Sequence, residues 1–197
     1  MNPRTRRSAI LAGALAAALA IAVLYGMNAD FVQPGGVLEK PESLAGLTMT
    51  EDPYPLPDAE FFDAGGAPVT LADFAGKFLV LNMWATWCAP CVAELPALAR
   101  AQAALPEDVL ILPVDTERLE PERVSAFLAE NGAGSLPVYI DRNFALIRGF
   151  DAFAVGLPYT IFIDESGTEI ATASGPQEWD DPAAIAYIRQ LALGPRQ

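Results

Sequence analysis

The residues best suited to chemistry in this 197-residue chain are its only two cysteines, Cys88 and Cys91, in the sequence Trp84-Ala-Thr-Trp87-Cys88-Ala-Pro90-Cys91. A bridge between cysteines three positions apart closes too small a loop to constrain the unfolded chain, so we expect it to serve chemistry rather than stability. A thiolate can attack another disulfide and leave the pair oxidised. The spacing therefore predicts a redox-active disulfide.

Metal and haem binding fit this cysteine pair poorly. A structural zinc site needs four Cys or His ligands, and the chain contains no histidine. Covalent haem attachment requires a histidine directly after the second cysteine, where Val92 stands. We therefore expect no metal and no cofactor, and two incidental buried cysteines are the remaining alternative.

The elements around the pair predict how it is positioned. Residues 78–84 form an unbroken β-prone run, and a helix is predicted from Val92 to Leu105, opened by Cys88. The free N–H groups and the positive dipole end of that helix favour a thiolate at Cys88. Pro96 lies inside the helix and is expected to kink it.

The rest of the chain alternates strand and helix patterns. Such alternation predicts an α/β fold, a mixed sheet with helices on both faces. After a hairpin over 59–63 and 68–71 and a short helical turn over 71–77, we predict strands at 109–114, 136–140, 158–163 and 169–173, and helices at 121–132, 143–150 and 182–193.

The first 57 residues predict a membrane anchor and a tether. Three arginines in the first seven residues precede an uncharged run from Ser8 to Tyr25, typical of a transmembrane signal anchor over residues 1–27, although a cleaved signal peptide stays open. Basic residues on the amino side place the body of the protein outside the cytoplasm. Residues 28–57 are rich in Pro, Gly and acid and predict an extended tether, so residues 58–193 form the globular domain.

The charge of the chain excludes one class of partner. Its 25 acidic and 12 basic residues give a formal net charge of −13. A phosphate backbone would be repelled, so we expect no nucleic-acid partner. We expect a monomer.

Two segments carry a resemblance to a known family. Residues 78–96, FLVLNMWATWCAPCVAELP, together with residues 156–160, GLPYT, resemble the membrane-anchored periplasmic thioredoxin-like proteins of the TlpA group, also called TlpA/ResA-like. The similarity covers about residues 55–193. It implies a thioredoxin fold with an N-terminal β-hairpin extension and a helix-strand insert at about residues 118–141, preceded by one transmembrane helix.

The resemblance also implies roles at the cysteine pair. Cys88, exposed beside Trp87, would be the attacking thiolate, and Cys91 would resolve the mixed disulfide. Pro158 matches the family's cis-proline, which would bring the backbone of Leu157 near the sulfurs to pair with a substrate strand. The substrate-binding residues are then Trp87, Pro90, Leu157 and Pro158.

Glu94 is a candidate proton acceptor for the resolving thiol. It lies three residues after Cys91, hence on the same helix face, and it matches the family's acid at this place. Burial would raise its pKa into a useful range. The alternative is an acid that only stabilises the first turns of the helix. Asn82 stands where thioredoxin carries a buried aspartate, so Glu94 would take more of the proton transfer.

The function implied is that of a periplasmic thiol:disulfide oxidoreductase, held by one span in the inner (cytoplasmic) membrane, that reduces client protein disulfides in respiratory-complex maturation. The clients would be the copper-site cysteines of cytochrome oxidase or their copper chaperone, and a membrane electron donor of the DsbD or CcdA type would recharge the pair. One alternative is reduction of the haem-site cysteines of apocytochrome c. Another is a copper-binding assembly chaperone without redox turnover.

Overall fold

The computed structural model describes residues 38–53 and 55–194. The predicted anchor over residues 1–27 and the first part of the predicted tether lie outside these ranges. Within them, no helix is both long enough and apolar enough to cross a membrane.

After three N-terminal strands, the described chain alternates strands and helices up to the two short helices before β7. Short 3-10 helices occupy Glu42–Leu44 and Leu71–Phe74. The main elements, in chain order, are β1 (Leu47–Met49), β2 (Phe61–Asp63), β3 (Pro68–Val69), β4 (Phe78–Trp84), α1 (Ala89–Ala104), β5 (Val109–Asp115), α2 (Pro121–Glu130), β6 (Tyr139–Ile140), α3 (Ala145–Gly149), α4 (Ala152–Val155), β7 (Tyr159–Ile163), β8 (Glu169–Ser174) and α5 (Pro182–Ala192).

The strands form one sheet in the order β1-β8-β7-β4-β5-β6-β2-β3, with β4 parallel to β5 and antiparallel to β7. All seven residues of β4 are buried. Alternate side chains enter two cores on opposite faces of the sheet: Val80 and Trp84 lie in one, Leu81 and Met83 in the other. The unbroken apolar run of β4 therefore reflects burial on both faces, as the sequence predicted.

Helix α1 begins five residues after β4 ends, at the edge of the sheet where the carboxyl end of β4 lies. Cys88 is its N-cap, and Pro90 lies in its first turn, where a missing N–H costs nothing. The side chain of Gln102, near the other end, accepts from the N–H of Ile111 at 2.6 Å and donates to the carbonyl of Val109 at 3.1 Å. Both ends of α1 are thus fixed relative to the parallel strand pair.

The predicted tether over residues 28–57 is wrong for residues 42–49. Leu44 and Leu47 are buried in the core, and β1 pairs antiparallel with β8, Leu47 opposite Ala173. Gly46 permits this close approach, since a Cβ there would lie 2.2 Å from the carbonyl oxygen of Ser174. Two leucines and one glycine dock the segment, although its composition resembles a linker.

The remaining elements follow the predicted order with smaller differences. The hairpin is confirmed, with Phe61 opposite Val69, and the helix-strand insert is α2 and β6, between β5 and α3. The helix predicted over 143–150 is α3, and α4, which was not predicted, follows it after Asp151, a residue in the left-handed conformation. The strand predicted over 136–140 shortens to β6.

Candidate active site

The cysteine pair sits at the N-terminus of α1. Cys88 and Cys91 form a disulfide with an S–S distance of 2.01 Å, and the backbone N–H of Cys91 points at the Sγ of Cys88 at 3.3 Å. Trp87 is 72% exposed, but Cys88 itself is only 5% exposed and Cys91 is fully buried. The expectation of an openly exposed Cys88 is therefore wrong for this oxidised state, because Cys88 is bonded to the buried Cys91 and packs in the core on one face of the sheet. Of the two cysteines, Cys88 is the one with some remaining exposure.

Pro158 directly precedes β7 and lies at the same edge of the sheet. The Leu157–Pro158 peptide bond is cis, which confirms the match to the family's cis-proline. In the β4–β7 pairing Met83 stands opposite Tyr159, so Pro158 borders the end of β4 from which the cysteine loop departs. Leu157 is half-buried and packs against both cores. The fold therefore brings residues 70 positions apart to one site, as predicted.

Glu94 lies under the cysteine pair in a buried hydrogen-bond network. Its Oε1 accepts from the side-chain amide of Asn82 at 2.9 Å. Its Oε2 accepts from the backbone N–H of Gln177 at 3.0 Å and from the indole Nε1 of Trp179 at 2.9 Å. The side chain is held from three directions in one orientation on the face of α1 that also carries Cys91.

Burial raises the pKa of Glu94 above its ordinary value, and the hydrogen bonds from Gln177, Trp179 and Asn82 partly oppose this rise. The raised pKa is the one expected of a proton acceptor for a thiol. A carboxyl group in the first turns of a helix that served only the dipole would not need three buried donors. The geometry thus favours the first of the two interpretations of Glu94.

Asn82 links Glu94 to the strand that follows the cis-proline. Its amide group donates both to Glu94 and to the Oγ1 of Thr160, each at 2.9 Å. The Oδ1 of Asn82 is buried without a hydrogen-bond partner in the part of the chain that the structure describes. The amide of Asn82 is uncharged and leaves its Oδ1 available as an acceptor, whereas an aspartate would place a second negative charge beside Glu94.

An apolar pocket of about 400 Å³ opens beside Trp87, the residue before Cys88. Trp87 and the segment 116–118 form one wall, and residues of α3, α4 and the loop before Pro158 form the other: Phe144, Ile147, Ala152, Phe153, Gly156 and Leu157. The guanidinium group of Arg118 lies over the ring of Phe144, 5.1 Å from its centre. Pro90 is exposed on the outer side of α1 and does not line this pocket.

Several residues of the site escaped the sequence analysis. Gln177 and Trp179 hold Glu94 from a loop more than 80 positions away, and only their place in the tail of the family resemblance gave a signal. Phe153 is 61% exposed at the pocket, and nothing in its short segment marked it. Asp115 is an acidic residue at the end of the apolar strand β5, and this position is a signal that the sequence analysis did not use.

Metal binding finds no support in the described ranges, where no group of three or more His, Cys, Asp or Glu side chains could hold an ion. What the arrangement can do is exchange electrons with another pair of sulfurs. Fold, disulfide and cis-proline together define a thioredoxin-like thiol:disulfide oxidoreductase.

Comparison with known proteins agrees. The redoxin family model matches residues 51–188. The thiol-disulfide oxidoreductase ResA of Geobacillus thermodenitrificans is 30% identical over 129 residues, which are 64% of this chain and 70% of that protein. The thiol:disulfide interchange protein HelX of Rhodobacter capsulatus is 32% identical over 111 residues, 56% of this chain and 60% of HelX. The chain belongs to the redoxin family and, within it, to the ResA- and TlpA-like proteins.

Solved structures share the fold. A thioredoxin-family thiol:disulfide interchange protein from Chlorobium tepidum superposes with a TM-score of 0.58 at 26% identity, over 74% of this chain and 99% of that one. StoA from Bacillus subtilis gives a TM-score of 0.53 at 21% identity, over 67% of this chain and 99% of StoA. The predicted thioredoxin fold is thereby confirmed.

Proposed function

We propose that this protein is a periplasmic reductase of particular client disulfides in respiratory-complex maturation. Its clients are the copper-site cysteines of cytochrome oxidase or those of their copper chaperone. The observation that carries the proposal is the pairing of Cys88, which keeps 5% exposure, with a fully buried Cys91 and a buried Glu94 one turn further along α1. The names of ResA and HelX support the exchange activity, and the choice of client is our inference.

The difference in exposure between Cys88 and Cys91 assigns a different step to each sulfur. The Cys88 thiolate attacks a client disulfide, forming a mixed disulfide and releasing one client thiolate. Cys91 gives its proton to Glu94, and its thiolate then attacks Cys88 Sγ, which releases the second client thiolate. The client gains two electrons and the Cys88–Cys91 disulfide forms, so a dithiol donor must reduce the pair before the next turn.

The direction of electron flow follows from the two residues between the cysteines. Ala89 and Pro90 carry neither charge nor side-chain donors, so they add nothing to the stability of a Cys88 thiolate. Strong disulfide oxidants owe their potential to a stabilised reduced form. With only the helix N-terminus to stabilise its thiolate, this dithiol gives up electrons more readily, as a reductant must.

The surface around Cys88 suits a protein client. Trp87, Phe153 and Val155 are large apolar side chains exposed near the pocket. Exposed apolar groups grouped around a reactive atom are typical of a protein-binding surface. The backbone of Leu157, which lines the pocket, can pair with an extended client segment containing the disulfide.

The compartment and the donor complete the proposal. Arg4, Arg6 and Arg7 precede the uncharged run to Tyr25, which supports an inner-membrane anchor with the domain in the periplasm. A reductant in an oxidising compartment needs electrons from across the membrane. A membrane donor of the DsbD or CcdA type supplies that chemistry.

Trapping with Cys91→Ser in the full chain tests the proposal. Without the resolving sulfur, clients should accumulate as mixed disulfides on Cys88, and mass spectrometry should identify copper-site cysteines among them. The matched control is Cys88→Ser with Cys91→Ser, which can trap nothing. Capture of apocytochrome c instead would overturn the proposed client.

A copper titration of the reduced protein separates the chaperone alternative. Two thiolates alone make an incomplete Cu(I) site, so we expect weak binding that a mild chelator removes. Tight one-to-one Cu(I) binding, together with no trapped mixed disulfides, would contradict the reductase proposal and favour a copper chaperone.

A further inference from the structure

A second buried carboxyl group borders the active site and has no part in the chemistry above. Asp115 is the last residue of β5, is fully buried and stands opposite Trp84, the last residue of β4. Its Oδ1 accepts from the backbone N–H of Glu117 at 2.9 Å. Its Oδ2 is buried and receives no hydrogen bond from any residue in the described ranges.

Glu117 connects Asp115 to the loop that carries the reactive cysteine. The Oε2 of Glu117 accepts from the backbone N–H of Thr86 at 2.6 Å. Thr86 lies between β4 and Cys88, directly before Trp87, and Glu117 and Trp87 line the same wall of the apolar pocket. A chain of contacts therefore runs from the buried end of β5 through Glu117 to the client-facing loop.

The carboxylate of Glu117 influences the protonation of Asp115. Burial raises the pKa of Asp115 to about 7; the hydrogen bond from the backbone N–H of Glu117 opposes this rise, and the charge and side chain of Glu117 add to it. A carboxyl pair in contact is stable when it shares one proton, because two adjacent buried charges repel. The oxygen free to carry that proton is Oδ2, the one that receives no donor.

Other titratable or charged groups lie on the elements next to Asp115. Asp141, which follows β6, donates its backbone N–H to the carbonyl of Asp115 at 2.7 Å, but its side chain binds the N–H groups of Ala145 and Ile147. The rest are Arg118 beside Glu117, Arg142 after Asp141, Glu120 and Arg123 at the start of α2, and Cys88 and Cys91 at the start of α1. Glu117 is the one whose charge contributes to the shift at Asp115.

We propose that Asp115 is a positioning residue for disulfide exchange: as a neutral acid it donates to Glu117 and holds Glu117 against the N–H of Thr86. This brace, Asp115–Glu117–Thr86, fixes Trp87 beside Cys88 and keeps the pocket wall in place. When Asp115 ionises, repulsion drives Glu117 outward and frees the Thr86 N–H. Client docking then weakens as pH rises, although the Cys88 thiolate becomes more abundant.

The test separates docking from thiolate chemistry in the reduced full chain. Reduction of insulin disulfides reports on both, and alkylation of Cys88 by iodoacetamide reports on the thiolate alone. The rate of insulin reduction is divided by the rate of alkylation at each pH, from about one pH unit below to one above the Asp115 pKa of about 7. In the unaltered protein this ratio should fall several-fold as the pH rises. A flat ratio would overturn the proposal.

Three variants give two distinguishable outcomes. Asp115→Asn mimics the neutral acid, so its ratio should stay constant with pH at the low-pH value of the unaltered protein. Glu117→Gln should behave likewise, since its amide can accept from Thr86 and donate to an ionised Asp115. Glu117→Ala removes the brace, so its ratio should be low at every pH.

The matched control is Glu122→Gln, which removes one exposed carboxylate from α2 and should leave the pH dependence unchanged. A structural role alone would lower the ratio equally at all pH values in Asp115→Asn and Glu117→Gln, and that result would refute the brace. If Asp115→Asn does not fold, Glu117→Gln alone decides: a ratio that still falls with pH would also refute it.

Discussion

The carboxylate of Glu94 accepts a 2.9 Å hydrogen bond from the indole Nε1 of Trp179, 85 positions further along the chain. Both side chains are buried, so the hydrogen bond lies in a region of low dielectric constant, where it is stronger than in water. It ties the carboxylate of Glu94 to the loop between β8 and α5. The pKa of Glu94 thus depends on the docking of a segment remote in sequence.

Removing the acid tests its role directly. We expect Glu94→Gln to slow the resolution of mixed disulfides about tenfold or more, because general-base help is lost. The fold should tolerate the change, since the amide of Asn82 can turn its free Oδ1 toward the new donor. Stopped-flow exchange with a small disulfide across pH measures the effect. An unchanged rate and profile would reduce Glu94 to a structural residue.

Trp179→Phe should move the pH profile without removing the acid. The indole hydrogen bond lowers the pKa of Glu94, so its loss should shift the profile for resolution to higher pH. Loss of a buried hydrogen bond should also cost about 1 to 3 kcal/mol of stability. Trp84→Phe is the matched control, because the Nε1 of Trp84 has no partner in the described ranges. A profile that moves in both variants, or in neither, would contradict the assignment.

The reactive half of the site could be predicted from sequence, and its support could not. Cys88, Cys91 and the strand over residues 78–84 are contiguous, so their order in the chain determines their geometry. Pro158 was found only because a family motif marks it. The contacts of Glu94 with Gln177 and Trp179 depend on how α1 and the loop after β8 meet, which no local pattern specifies.

Stability should fall as pH rises, with Asp115 contributing. The pKa of Asp115 is about 7 in the folded protein and about 3.9 when unfolded. Its stabilising effect is therefore complete below about pH 4 and is lost as pH rises through about 7. Asp115→Asn should gain stability relative to the unaltered protein over that window, by a few kcal/mol at most, because one pKa unit is worth about 1.4 kcal/mol. Urea unfolding at the two ends of the window measures it, and an equal pH dependence in both proteins would contradict it.

Residues 42–49 should contribute to stability as part of the domain. Leu47→Ala removes a buried side chain from β1 and should cost about 2 to 5 kcal/mol. Met49→Ala, in the same strand but 48% exposed, is the matched control and should cost less than about 1 kcal/mol. Denaturant unfolding compares them, and equal small effects would restore the tether.

The error at residues 42–49 has a physical cause. An edge strand of three residues carries too little hydrophobic period to be recognised, and the proline- and glycine-rich sequence around it is typical of linkers. Its pairing with β8 needs only backbone groups, and two leucines supply the apolar contact. The central strands were predictable because burial on both faces leaves a long apolar run.

The reduction potential of the Cys88–Cys91 pair tests the central claim most directly. The full chain is equilibrated with glutathione mixtures, and the dithiol fraction is read by alkylation and mass shift. A reductase requires a potential well below about −120 mV, the value of a strong disulfide oxidant. A measured potential in that oxidising range would contradict the account.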